Sequence, residues 1–421
     1  MTLESASRTR STVWFAASAA ALLAVAGCSS KSPVAPVIPP PPLSAVIVTP
    51  SVDTLQVGAN LQLSATALDT LGAMVGGVRF NWTTSDAGVA TVVGGRVSAV
   101  GEGTALVVAE AGGKRDTAAV TVFTRRGWYA QTSNTSVNLH GVFFQSDGRN
   151  GWAVGDGGRV LRTSDAGTTW AAQVGNTAFN LNAVWFTSAL EGWAAGANGT
   201  LIHTVNGGAA WAVVSSGASE VLEAITFATP DTGWAVGSAG VTLRTFDHGA
   251  TWQKQYPTAS TLRGVSFSGT RDGWAVGDGG VIVGTHDRGV TWFVVQPSVT
   301  AQSLRDVFRR SEPAAWAVGS AGVAPRTTAT VDSTAWLLGN AGAAFTLQGV
   351  SFASDLIGYA VGFNTGGSGA ALRSDDGGAT WQTQTANSAF HLNHVFFVDA
   401  QHGWAVGESG VIVHTSSGGL P

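Results

Sequence analysis

The chain has 421 residues, room for two or three domains, and only 11% of them are charged, well under the roughly 25% usual in soluble domains. Its formal net charge of -4 comes without a basic stripe, which argues against nucleic acid as a partner. Its single cysteine, Cys28, excludes an internal disulfide, and its 56 glycines favour many short strands joined by tight turns.

The chain opens with Arg8 and Arg10, followed by an apolar run from Val13 to Ala26. That run has the length of a signal peptide and is short for a bilayer span. It ends in Val25-Ala26-Gly27-Cys28, which resembles a bacterial lipobox. The resemblance implies a lipoprotein signal over residues 1–27 and lipid attachment at Cys28, the first mature residue. Acyl chains contribute about 0.8 kcal/mol per buried methylene, so several would anchor the protein firmly. The expected location is the cell envelope, on the periplasmic or cell-surface face, with the outer membrane favoured. Residues 28–43 read as a tether, because Pro33, Pro36 and Pro39 to Pro42 favour extended polyproline II.

Residues 44–123 alternate apolar and polar in short segments: Ala45–Val48, Leu61–Ala65, Phe80–Trp82 and Val120–Val122. Gly94-Gly95 and Gly112-Gly113 mark turns between them. This pattern predicts a β-sandwich with Trp82 in its core. The stretch Trp82-Thr83-Thr84-Ser85-Asp86, then Val89-Ala90-Thr91-Val92, Gly95–Val100 and Gly103-Thr104-Ala105 resembles the bacterial immunoglobulin-like domains of group 2. The resemblance implies a spacer or adhesive role.

Residues 125–421 repeat one unit. Gly151-Trp152-Ala153-Val154-Gly155 recurs around Trp193, Trp234, Trp274, Trp316, Tyr359 and Trp404, at steps of 41, 41, 40, 42, 43 and 45 residues. Each unit holds four strand-sized pieces; in the first these begin at Leu139, Gly151, Arg159 and Thr169, with a hairpin turn at Asp156-Gly157-Gly158. Four antiparallel strands repeated seven times predict a seven-bladed β-propeller. The fourth-strand Trp precedes the next unit's Leu by 11 residues at Trp170–Leu181, Trp211–Leu222, Trp336–Leu347 and Trp381–Leu392. Trp128 stands 11 residues before Leu139 with no unit ahead of it, and the last unit stops where its fourth strand is due. Gly127–Gln131 is therefore expected to close the ring as the outer strand of the last blade. The fold class is all-β, an immunoglobulin-like sandwich followed by this propeller.

Two repeated features read as scaffold. Thr163-x-Asp165-x-Gly167-x-Thr169-Trp170 recurs at Asp247, Asp287 and Asp376 and resembles the Asp-box of sialidases. Its carboxylate is suited to clamping its own turn on the outer rim. Unit two weakens the box to Asn206 and Ala210 in place of its Asp and Thr, and unit five loses the box between Arg326 and Trp336. The Trp of the Gly-Trp-Ala-Val-Gly phrase reads as packing between blades.

The position after the first-strand Leu behaves differently. It holds His140, Asn182, Glu223, Arg263, Arg305, Gln348 and Asn393, polar in all seven units but varied. Since the first strand is innermost, these residues are expected at the channel mouth, as a ligand-reading ring or a solvated rim. Arg263 and Arg305 form the electropositive spot, suited to a carboxylate or phosphate.

Catalytic signals are poor. The only tyrosines are Tyr129, Tyr256 and Tyr359, none placed for a sialidase nucleophile. The spacing of His391 and His394 does not align two metal ligands, so neither a metal nor a cofactor is expected. A glycoside hydrolase would draw its carboxylate pair from Asp156, Glu223, Asp278 and Glu408.

The combined order of the first-strand Phe, Gly-Trp-Ala-Val-Gly and Thr-x-Asp-x-Gly-x-Thr-Trp, from Arg125 to Gly419, resembles the photosystem II assembly and stability factor family. The resemblance implies a seven-bladed, non-enzymatic chaperone that binds a reaction-centre polypeptide through an arginine-rich surface. Arg162, Arg244, Arg326 and Arg373 are its loose counterparts here. The anchor, the immunoglobulin-like domain and the degenerate fifth unit depart from that family. The reading is a monomeric, non-enzymatic envelope lipoprotein whose propeller binds a protein or glycan outside the cytoplasm. A sialidase-like hydrolase and a surface adhesin stay open as alternatives.

Overall fold

A computed structural model describes residues 42–310, 313–327 and 335–421. The lipobox, Cys28 and the prolines from Pro33 to Pro41 lie outside the described residues. No helix among the described residues is long and apolar enough to cross a membrane. The chain divides into two compact units, one built mainly from residues 42–121 and one from 122–421.

The first unit is all-β. Leu43–Thr49 pairs with Ser64–Asp69; Val52–Gln56, Lys114–Phe123, Gly103–Ala111 and Asn81–Thr84 form a second sheet in that order. Asn60–Gln62, Arg96–Ala99 and Ala90–Val93 form a third. Strict alternation supplies the core: Ala105, Val107 and Ala109 of one long strand face Ala118, Val120 and Val122 of its neighbour, all buried. Two sequence expectations need correction. Leu61–Ala65 is not one strand, because the chain breaks at Leu63, whose N–H donates to Gly95 O and whose side chain is buried. Trp82 is only half-buried, lying against the Gly94-Gly95 turn rather than in the core.

Among the described residues, the second unit holds seven successive antiparallel sheets, the blades of a β-propeller. Blade one comprises Leu139–Phe144, Gly151–Gly155, Arg159–Thr163 and Ala171–Gln173, from the channel outward. The later inner strands are Leu181–Phe186, Leu222–Phe227, Leu262–Phe267, Leu304–Phe308, Phe345–Phe352 and Leu392–Phe397. The Asp156–Gly158 turn is a single 3-10 turn with Gly158 at φ 72°; a Cβ there would meet Thr177 O at 2.0 Å, so only glycine fits.

The seventh sheet runs Tyr129–Gln131, Ile412–Thr415, Gly403–Gly407, Leu392–Phe397, joining the start of the unit to its end. Tyr129 lies opposite His414, Ala130 opposite Val413 and Gln131 opposite Ile412. The buried Trp128 ring stands edge-on to Phe397 at 5.6 Å, and its Nε1 donates to Gln384 Oε1 at 2.8 Å.

Blade five has three strands among the described residues, Leu304–Phe308, Ala315–Gly319 and Arg326–Thr327. Isolated bridges from Arg326 to Leu337 and from Val323 to Asn340 stand at its outer edge. Trp336 is nevertheless buried, edge-on to Trp274 at 5.2 Å.

Adjacent blades are joined by the repeated tryptophan. The Trp152 ring stacks on Phe186 of the next blade at 3.6 Å, and its Nε1 donates to Gly207 O at 3.1 Å. Trp234 repeats both contacts with Phe267 and Arg288 O, Trp316 with Phe352 and Gly377 O, and Trp404 with Phe144 and Ala166 O. Tyr359 replaces Trp in blade six; it stacks on Phe397, and its hydroxyl donates to Ala400 O.

Candidate binding site at the channel mouth

All seven inner strands share one irregularity. Pairing with the second strand shifts register between Leu139 and Gly141, and at the corresponding place in every other blade. The residue skipped is the variable polar one. A β-bulge leaves its extra residue outside the ladder and re-aims its side chain. Here the seven bulges direct His140, Asn182, Glu223, Arg263, Arg305, Gln348 and Asn393 to one cavity of about 550 Å³ on the propeller axis.

These residues are not equivalent. Asn393 Nδ2 donates to Leu139 O at 2.9 Å and Asn182 Nδ2 to Leu222 O at 3.0 Å, each capping a carbonyl of the next blade. His140 Nε2 lies 2.8 Å from Asp156 Oδ1, in its own blade's hairpin turn. Arg263 forms a fork with Asp278, Nε to Oδ1 at 2.7 Å and Nη2 to Oδ2 at 2.8 Å, and its Nη1 stands 3.5 Å from Glu223 Oε1. The Asp278 bonds raise the pKa of Arg263, and the Arg263 bonds lower that of Asp278. Glu223 is raised instead, because burial outweighs the attraction of Arg263.

Arg305 is the exception. The turn of its own blade carries Ser320 where that of Arg263 carries Asp278. Its Nε is buried and has no hydrogen-bond partner among the described residues. Burial, and then the charge of Arg263, lower its pKa from the usual guanidinium value. Of the two arginines of the expected electropositive spot, Arg263 is thus paired with its acids, and Arg305 is the one whose Nε lacks a hydrogen-bond partner among the described residues.

Deeper in the cavity lie residues that sequence reasoning passed over. The position after the bulge is Gly or Ala except at Asp306 and His394. A Cβ on Gly264 or Gly349 would press on the next blade's backbone, at 2.9 Å and 3.0 Å, so this position points into the seam between blades. Asp306 uses the seam to accept N–H bonds from Val307 and Val350, at 2.8 and 2.9 Å. Burial pushes its pKa up to about 7 against those two bonds. His394 Nδ1 faces the Val142 N–H at 3.5 Å, and burial pulls its pKa down to about 4. Two positions further on, Phe143, Trp185 and Phe396 form an aromatic wall across three adjacent blades. The signal for these residues was present as departures from the column consensus.

The remaining sequence candidates have local roles. Asp165 Oδ1 accepts from Thr169 N and Oδ2 from Thr169 Oγ1, at 2.9 and 2.7 Å, and Thr163 Oγ1 accepts from Gly167 N. Asp247, Asp287 and Asp376 repeat this clamp, and Asn206 keeps its backbone half with Ala210. Three of the four third-strand arginines join blades: Arg244, Arg326 and Arg373 donate to Gly289 O, Gly378 O and Gly418 O of the following box turns. Arg162 lies over the Trp152 ring. His391 lies 3.1 Å from Glu408, remote in role from His394, and no group of three or more His, Cys, Asp or Glu side chains among the described residues is arranged for a metal ion.

The fold and the site define a β-propeller with a varied polar mouth above an aromatic-walled channel. More particularly, the chain belongs to the photosynthesis system II assembly factor YCF48 family, whose pattern matches residues 120–220, 209–300 and 328–420. It is similar to a solved structure of YCF48 bound to D1 peptide, at 21% identity over 70% of this chain and 96% of that one, TM-score 0.58. YCF48 from Cyanidioschyzon merolae is similar at 22% identity over 69% and 98%, TM-score 0.57. A GH74 xyloglucanase from Xanthomonas campestris shares the fold at 14% identity over 68% and 53%, TM-score 0.54. No curated protein matches the chain.

Proposed function

We propose that this protein is a non-enzymatic binding module of the cell envelope, holding a polypeptide partner at the mouth of its propeller. The observation that carries the reading is the set of seven bulges, which aim the residues that differ between blades into one cavity. The residues that repeat are occupied in joining blades or closing turns. Membership of an assembly-factor family and a structural neighbour bound to a peptide support a protein partner over a glycan. The candidate hydrolase carboxylates favour binding over catalysis, since Asp156 is engaged by Asn138 and His140 and Asp278 by Arg263.

The remaining parts of the reading follow from the sequence. Cys28 carries lipid, residues 28–43 hold the protein off the membrane, and residues 44–123 are an immunoglobulin-like spacer. The strand after Trp128 serves as the clasp that closes a monomeric ring. The envelope is tested by metabolic labelling with a radiolabelled fatty acid, with Cys28→Ser losing the label. Binding is tested by affinity capture from envelope extracts with the wild type and Arg305→Glu. Loss of a specific partner in the variant is expected, and equal capture would refute the mouth as the site.

A further inference from the structure

The channel below the mouth has a chemistry of its own, independent of whether a protein partner docks above it. Its two ends differ. At the mouth on blade five, Arg305 presents a guanidinium whose Nε has no hydrogen-bond partner among the described residues, while the neighbouring Arg263 holds both Asp278 and Glu223. The adjacent Asp306 turns away into the seam and accepts two backbone amides. At the far end, on blades seven, one and two, Phe396, Phe143 and Trp185 stand in a row with ring centroids 4.9 and 5.3 Å apart. They are the face of the ring across from blade five.

Elsewhere at that level, Phe308 of blade five is a further aromatic of the lining, and the hydroxyls of Ser266 and Ser351 serve the framework. Ser266 Oγ accepts from Arg309 N at 2.9 Å and Ser351 Oγ from Phe397 N at 3.2 Å. The aromatic wall has no such duty toward the next blade's amides. Three residues of strand separate the two levels, about 10 Å along the axis. A cavity of about 550 Å³ lies in the size range of small-molecule sites.

We propose that the propeller channel is a site for a small amphipathic monocarboxylate, with its carboxylate on Arg305 and its apolar body against Phe143, Trp185 and Phe396. A guanidinium whose Nε is buried without a hydrogen-bond partner among the described residues binds a carboxylate in preference to a neutral amide, because the bond is charge-assisted. The wall takes the apolar end by burying its surface. The carboxylate and the apolar group should lie about 10 Å apart in the ligand, set by the strand rise.

The test uses the full chain at pH 7 and three defined probes: 6-phenylhexanoate, its primary amide and 6-phenylhexylamine. Calorimetric titration should show the acid binding about tenfold or more tighter than the amide, with the amine weakest. Arg305→Gln should abolish the preference for acid over amide, and Arg305→Lys should retain part of it. Trp185→Ala should weaken acid and amide alike. Thermal melts of each variant establish that it is folded, and the conservative Lys variant carries the comparison if Gln fails. Equal affinity for the three probes, no acid binding up to about 1 mM, or an acid preference unchanged in Arg305→Gln would overturn the proposal.

Discussion

Trp152→Ala tests whether the ring is held together by its repeated tryptophan. The Trp152 ring is fully buried, stacks on Phe186 at 3.6 Å and 16°, and donates to Gly207 O at 3.1 Å. Removing it takes away the apolar contact of a large ring and leaves the Gly207 carbonyl without that donor. Truncation of a buried Trp costs about 3–5 kcal/mol, and the lost hydrogen bond is part of that. Trp152→Tyr should cost much less, because blade six already carries Tyr359 there, stacked on Phe397 at 3.5 Å and 4°. Urea denaturation followed by circular dichroism gives both differences on one scale. A loss below about 1 kcal/mol for Trp152→Ala, within the range of surface substitutions and small relaxations, would refute the stack as the interblade glue.

Three further predictions concern closure and pH. Trp128→Ala should open the last blade first, so limited proteolysis should cleave near residues 392–415 before any other blade; uniform cleavage would count against a clasp. Asp247 and Asp376 are held down to about 2, first by Thr251 and Thr380 side-chain bonds respectively, so their clamps contribute above the unfolded carboxylate value of about 3.9 and are lost as pH falls toward 2. The double substitution to Asn should flatten acid unfolding in that window, measured by fluorescence. Burial lowers His394 to about 4 and His414 to about 3, so the unfolded chain binds more protons below about 6.5 and stability falls as pH drops from 6.5 toward 4. His394→Gln should reduce that slope in denaturation midpoints, and an unchanged slope would contradict a buried neutral imidazole.

Much of the framework is legible in the sequence because it repeats. A fixed Trp, a fixed Asp turn and a period near forty residues identify blades without any structure. What repeats does not say what it touches. Trp152 meets Phe186 in the next unit, a pairing that depends on blade order rather than on local pattern. The bulge is equally hidden, since a skipped residue exists only relative to the register of its partner strand. The seven polar residues could be placed at the mouth, but their occupancy could not. That depended on the hairpin turn opposite each one, acidic for Arg263 and Ser320 for Arg305. Blade five departs most, and its outer edge shows no regular fourth strand among the described residues.

The central claim is that binding lies where the blades differ and not where they agree. Site-specific photo-crosslinking in envelope extracts addresses it directly, with the photoreactive residue placed at Gln348 on the mouth or at Thr251 on an Asp-box turn. The account predicts a discrete cross-linked partner from Gln348 and none from Thr251. A partner captured from Thr251 alone would contradict it.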